Sequence, residues 1–328
     1  MSEIDREAAL TRGGSVHRML DEDAFALLLG TTRDDMVAKC GSLIRKFDFA
    51  YDILEGSERE SVFLRVMKAI EGGTFSQSGK ARKADWERGW KENLDSFTAS
   101  RFDLNKLAPR YISKYDVSRL QSEYVRPHDR MFELNFYTVY RQYLFRTYLS
   151  RCESIFEFGC GTGYNLVIMH SLFPNCRITG LDWSESAVTI ANELGKKLKA
   201  QISGRAFDYF DPDGSLDIPP NSAVITLNSL EQVGRDHDAF LRFLMEKKPS
   251  VCINAEPFIE LYDQESLFDY LAARYHTARN YLSGYLESLK RLEDEGRARI
   301  LKIQRVSFGN LYHEGYSFVV WHPTDIGA

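Results

Sequence analysis

Beyond about residue 150, short apolar runs recur between amphipathic stretches. Residues 154–158, 177–181, 200–207, 223–228 and 250–255 read as buried strands, and 164–173 and 184–199 as helices between them. Pro174 and Asn175 close the first helix, and Ser184 is placed to cap the second. Strands alternating with helices predict a parallel sheet covered on both faces. Two further runs, 299–308 and 316–322, read as strands joined by Gly309-Asn310-Leu311-Tyr312-His313-Glu314-Gly315. Between these blocks, Phe268, Leu271, Tyr275, Ala278, Leu282, Tyr285, Leu289 and Leu292 follow one another in alternating steps of three and four. That spacing predicts one helix over 264–295, ~40 Å long, bending at Ser283-Gly284. Its apolar stripe must be covered by the chain's own helices or by a second copy, so a homodimer through 264–295 is one expectation.

The first 150 residues contain no convincing strand run and read as helices. Met131 to Leu149 is aromatic on nearly every side and is expected to lie buried between the two halves. Residues 72–80 form the clearest loop. Trp86 and Trp90, four apart, share a helix face, and a core role is the preferred reading over a site. The expected organisation is a mainly helical N-terminal domain, 1–150, for substrate cover or oligomerisation, followed by 151–328.

Between the first strand and helix stands Glu157-Phe158-Gly159-Cys160-Gly161-Thr162-Gly163. A glycine turn that opens a helix aims backbone N–H groups at a ligand. The second strand ends in Asp182, 23 positions after Gly159, close to the ~20 expected of an acid that receives ribose hydroxyls. A dinucleotide fingerprint needs a third glycine at Tyr164 or Leu166, depending on register, and both positions lack it. The string resembles motif I of class I S-adenosylmethionine-dependent methyltransferases, acidic-x-G-x-G-x-G.

That resemblance covers about residues 150–322. It implies an α/β fold, a seven-stranded mostly parallel Rossmann-like sheet whose last strand slides between the fifth and sixth, preceded by the helical domain. It implies S-adenosyl-L-methionine as cofactor, held by Glu157, Gly159, Cys160 (through its backbone), Gly161 and Gly163, with Asp182 and the adjoining Trp183 at the ribose. Asp208, after the third strand, would meet the adenine amino group, the alternative being a turn residue. Asn228 and Ser229 follow the fourth strand, where many relatives carry L-E-H-V. Gln232 replaces that histidine, which puts a base there in doubt. Arg126, beside His128, could pair with the cofactor's carboxylate or an anionic substrate, the alternative being a surface arginine.

If the sixth strand runs parallel, the loop after it reaches the same sheet edge. His313 is then the first candidate for a general base, oriented by Glu314 or Tyr312, with His237 and Glu231 behind it. The expected activity is methyl transfer to a small-molecule acceptor, at oxygen of a sugar or glycan precursor or of a secondary metabolite. A catalytically weak methyltransferase-fold scaffold is the alternative.

Composition narrows the partners. The 328 residues are 44% hydrophobic with a net charge of −5, which argues against nucleic acid. The five cysteines form no C-x-x-C pair, so no metal is expected. The charged start of the chain lacks a signal-peptide core, and no apolar run approaches the ~20 residues of a membrane span, so a cytoplasmic protein is expected.

Overall fold

A computed structural model describes residues 17–108 and 112–324. The first part comprises strand β1 (His17–Met19), helices α1 (Glu22–Leu29) and α2 (Arg33–Ile44), β2 (Ala50–Ile53), α3 (Gly56–Glu71) and α4 (Lys83–Ala99). The short β3 (Ser118–Leu120) and β4 (Glu123–Pro127) and the long α5 (Phe132–Tyr148) complete it. The alternating part follows as β5 (Ser154–Phe158), α6 (Tyr164–Leu172), β6 (Arg177–Asp182), α7 (Glu185–Leu198), β7 (Ile202–Ala206), β8 (Ser222–Leu227), α8 (Asp238–Lys247) and β9 (Val251–Ala255). Then come α9 (Leu267–Arg279), α10 (Tyr285–Asp294), β10 (Ala298–Gln304), β11 (Phe308–Gly309) and β12 (Phe318–Pro323).

The large sheet has the order β10-β12-β9-β8-β5-β6-β7. Its strands β5 to β9 are parallel, and β12 enters antiparallel between β9 and β10. This is the α/β, seven-stranded, mostly parallel arrangement expected from the sequence, with the seventh strand between the fifth and sixth. Every residue of β5, β8 and β9 is buried, as strands covered on both faces require. Alternate β5 residues serve different cores: Ile155 packs with α5 and α6, while Phe156 and Phe158 pack with Phe240, Tyr285 and Trp321 on the other face.

Helix α5 is buried along most of its length, as its aromatic composition predicts. Phe136 touches Phe308, with ring centroids 3.8 Å apart, and Tyr316 at 5.6 Å. Such pairs add about 0.5–1.5 kcal/mol each beyond burial.

Two expectations are corrected. The first 150 residues do contain strands: β1, β2, β4 and β3 form an antiparallel sheet that β11 completes from the far end of the chain. These strands are three to five residues long, too short to impose a period. The 299–308 run is accordingly divided, β10 staying in the large sheet and Phe308-Gly309 pairing with β3.

The predicted helix over 264–295 is also two helices. Asn280 takes a left-handed conformation, φ 52°, and its N–H returns to the carbonyls of His276 and Thr277. Gly284, φ 81°, starts α10. His276 Nε2 donates to Leu282 O at 2.6 Å across the break, and Ser78 N donates to Arg279 O at 2.7 Å. The stripe is buried within the chain, but its halves join separate cores. Phe268, Leu271 and Tyr275 pack with Tyr124 and Val66, whereas Leu282, Tyr285 and Leu289 pack beneath the large sheet. No helix among the described residues is long and apolar enough to cross a membrane.

Candidate active site

The carboxyl edge of the large sheet is where an open α/β fold binds ligands. There the loop after β5 turns through Gly159, Gly161 and Gly163, all at positive φ. Gly159 N and Cys160 N donate to Leu181 O at 2.7 and 3.0 Å, tying the loop to β6. A methyl group on Gly161 would lie 2.9 Å from Cζ2 of Trp90, and one on Gly163 would lie 2.7 Å from Leu194 Cδ1. The glycines therefore admit neighbours from α4 and α7 as well as baring backbone N–H groups. The Cys160 side chain packs against Gly180, leaving its backbone at the cleft.

Asp182 is buried at the end of β6. One carboxylate oxygen accepts from Gly161 N at 3.0 Å, the other from Ser184 N at 2.9 Å. Burial pushes its pKa up to about 6. Glu157 is buried beside it, and its pKa rises to about 8, again through burial. Its Oε1 accepts from Asn165 Nδ2 at 2.7 Å, and Asn165 Oδ1 in turn accepts from Tyr137 of α5 at 2.9 Å. Glu157 Oε2 is buried without a hydrogen-bond partner, a group that a ligand donor would satisfy.

Trp183 and Phe210 are stacked, centroids 6.2 Å apart, on the same cleft. Asp208 does not line it; the carboxylate accepts from Phe210 N at 3.0 Å and faces Lys83 at 3.5 Å. Its place is to fix the turn that carries Phe210. Ser229 lines the cleft, donating from Oγ to Phe158 O at 2.8 Å.

The roof is formed by Trp86 and Trp90, stacked at 5.3 Å and 27°. Contrary to the core role that their spacing favours, both rings line the cleft. Glu87, between them in sequence, accepts from Ser184 Oγ and Ser186 Oγ at 2.6 Å each, and so fastens α4 to the start of α7. An i, i+4 tryptophan pair looks the same in sequence whether it faces a core or a cleft.

A second cavity of about 300 Å³ adjoins the first, and Trp86, Asn228 and Gln232 line both. Asn228 stands at φ 51° where β8 turns away. Glu256, at the end of β9, accepts the backbone N–H groups of Ser229, Leu230 and Glu231 at 3.2, 3.1 and 3.1 Å, which fixes this turn. Glu231 and His313 both line the second cavity, so the sheet edge brings these two predicted residues together. Burial raises Glu231 to about 8, with the Glu256 charge adding to the shift. Burial lowers His313 to about 3, so its imidazole is neutral across the physiological range and a weak base.

The expected partners of His313 are otherwise engaged. Glu314 chelates Arg305 at 2.8 and 2.9 Å, and Tyr312 stacks on Tyr275 at 4.8 Å. His237 lines neither cavity: it is buried against Tyr285 and approaches Ser288 Oγ at 3.3 Å. Arg126 is on the small sheet, 3.3 Å from Glu58. His128 meets Asp52 there at 3.0 Å, in a group with His17 whose potential ligand atoms lie within 4.8 Å of one another. Neither Arg126 nor His128 lines the cleft or the cavity, because β4 lies in the separate sheet.

Residues 155–244 match the family profile described as a methyltransferase domain. That match spans the glycine loop and Asp182. Residues 155–244 carry a methyltransferase domain. Over 83 residues it is 32% identical to malonyl-[acyl-carrier protein] O-methyltransferase of Bacillus cereus, a stretch that is 25% of this chain and 31% of that protein. The namesake of Bacillus anthracis is 30% identical over the same length. The chain thus spans about a third of these curated relatives.

Among solved structures, geranyl diphosphate C-methyltransferase from Streptomyces coelicolor A3(2) is 16% identical with a TM-score of 0.40, covering 60% of this chain and 86% of that one. A SAM dependent methyltransferase from Aquifex aeolicus is 15% identical with a TM-score of 0.38, covering 56% and 89%. The residues of the methyltransferase cleft suit S-adenosylmethionine: a buried carboxylate after the second strand, the unpartnered Glu157 oxygen, side-chain-free backbone and a stacked aromatic wall.

Proposed function

We propose that this protein transfers a methyl group from S-adenosylmethionine to an oxygen of a small molecule held in the second cavity. One observation carries the reading: a cavity of about 300 Å³ opens beside the glycine-loop cleft and shares Trp86, Asn228 and Gln232 with it. S-adenosylmethionine, when bound, supplies a methyl group on a sulfonium, which is already a good leaving group. The protein's task is alignment, a contribution that reaches ~7–11 kcal/mol in well-oriented systems, and removal of the acceptor's proton.

In the cleft, Asp182 and Glu157 would hold the cofactor's hydroxyl and amine groups, while Trp86 and Trp90 exclude water from above. Asn228 Oδ1 and Gln232 Oε1 are buried without partners where the two spaces meet. Carbonyl oxygens there call for an O–H or N–H donor on the acceptor. Glu231, held near 8 by burial, is the better proton acceptor at this place, since a base works best when its pKa lies close to the operating pH. His313 offers a hydrogen bond rather than a strong base. That both curated relatives are named O-methyltransferases agrees with oxygen as the methylated atom. A sugar or glycan precursor, or a secondary metabolite, is of a size to enter the cavity.

Calorimetric titration with S-adenosylhomocysteine, followed by assay of its release from S-adenosylmethionine over a panel of hydroxylated acceptors, tests this. Binding in the micromolar range and acceptor-dependent release are expected. A chain that binds neither form of the cofactor is not a methyltransferase.

A further inference from the structure

Arg279 is the last residue of α9, and it lines the second cavity only because that helix stops there. The guanidinium lies over the ring of Tyr281, 5.0 Å from its centroid, and Nε is buried without a hydrogen-bond partner. An arginine cannot shed its charge, and a part-buried guanidinium is costly unless an anion faces it. Two carboxyls share the cavity. Glu231 is hydrogen-bonded to Gln232 Nε2 at 2.9 Å, and its raised pKa leaves it mostly neutral at pH 7. Glu133 accepts from Ser113 N at 2.6 Å and Tyr316 OH at 3.1 Å, and burial raises its pKa too. Neither lies within ion-pair distance of Arg279 among the described residues; Glu231 attracts it from farther off, and Tyr281 hydrogen-bonds to the guanidinium. Arg82 and Lys114 add positive charge to the same walls, although Arg82 is 3.0 Å from Asp85. Tyr115, Tyr275 and Tyr281 supply flat apolar surface between them.

The cavity therefore offers two kinds of polar group, unpartnered carbonyl oxygens and cations. Carbonyl acceptors, Asn228 and Gln232, stand at the end shared with the glycine-loop cleft. Arg279 and Lys114 are absent from that cleft's walls. We propose that the acceptor is an anion: a flat molecule whose carboxylate or phosphate docks on Arg279 while its hydroxyl faces Asn228 and Gln232. The inference rests on the second cavity being the acceptor site. It goes further in assigning the chemical class of the occupant and the residue that selects it.

The test uses the full chain, with and without saturating S-adenosylhomocysteine. Ligand-observed NMR titrations compare benzoate and phenyl phosphate with the neutral benzyl alcohol. At least tenfold tighter binding of an anionic probe is expected, and the stronger of the two distinguishes a carboxylate from a phosphate site. Arg279→Gln should remove that preference while leaving benzyl alcohol and S-adenosylhomocysteine binding unchanged. Arg279→Lys should keep part of it, and unaltered melting temperatures would exclude unfolding as the cause. Equal binding of benzoate, phenyl phosphate and benzyl alcohol would overturn the proposal, as would an Arg279→Gln variant that weakens all three alike. Failure to bind S-adenosylhomocysteine with the anion preference intact would instead overturn only the methyltransferase reading.

Discussion

The indole of Trp90 rests directly on Gly161: a methyl group built on that glycine would fall 2.9 Å from Cζ2. Helix α4, from a part of the chain with no methyltransferase motif, thus roofs the motif's central glycine. Two separate causes keep position 161 a glycine, the left-handed backbone at φ 50° and the close indole.

Gly161→Ala should consequently cost about 1–2 kcal/mol from backbone conformation alone, with the contact adding to it. Pairing it with Trp90→Ala should remove the contact part and leave the backbone part. Thermal melts of the two single variants and the double variant measure this. Strict additivity would mean that Trp90 does not press on Gly161.

Asp182 has a folded pKa of about 6, raised by burial. Ribose hydroxyls donate to the ionised carboxylate, so binding favours the deprotonated form. As pH falls through 6, the free protein takes up a proton that binding must expel. Affinity for S-adenosylhomocysteine should weaken below pH 6, approaching ~tenfold per pH unit. Asp182→Asn should lose roughly 1.5–3 kcal/mol of binding at pH 7.5 and show no such dependence. Calorimetry between pH 5 and 8 decides it.

Glu231 and His313 predict different acid limbs. A base must be deprotonated to act, so a Glu231 base with a pKa of about 8 makes turnover rise up to that pH. A solvent-exposed histidine base would give a limb near 6.5, but burial takes His313 down to about 3 and out of the working range. Glu231→Gln should lower turnover by ~10²–10⁴-fold and abolish the limb. His313→Ala should bind cofactor normally and keep the limb near 8. A limb at 6.5 that vanishes in His313→Ala would restore the histidine as base.

Leu282 and Leu289 are fully buried under the large sheet. Leu282→Glu or Leu289→Glu places a carboxyl in that core and should destabilise the chain by more than ~3 kcal/mol. Light scattering and thermal melts should find aggregated or unfolded protein. A well-folded monomer derived from a dimer would mean that the stripe is an interface between copies.

The glycine loop, Asp182 and the strand order were legible because each is written locally. Glycines mark left-handed backbone, an acid ends a strand at a set distance, and buried strands are continuous apolar runs. The second cavity was not legible, since it assembles α4, the turn after β8, the end of α9 and the loop before β12 from distant parts of the chain. The 264–295 stripe shows why. A period of three and four reports burial and is blind to a left-handed residue that keeps both halves buried in different cores. The break at Asn280 leaves Arg279 at a helix end and Tyr281 in the connection, and so builds the cavity wall. Likewise His313 reached the predicted sheet edge, but how deeply it is buried there, and hence its protonation, depends on Tyr275 and Tyr281 packing against its ring. Sequence determined which cofactor chemistry this chain carries, because that chemistry is held by backbone conformation. Tertiary structure alone decided which charges and rings line the second cavity.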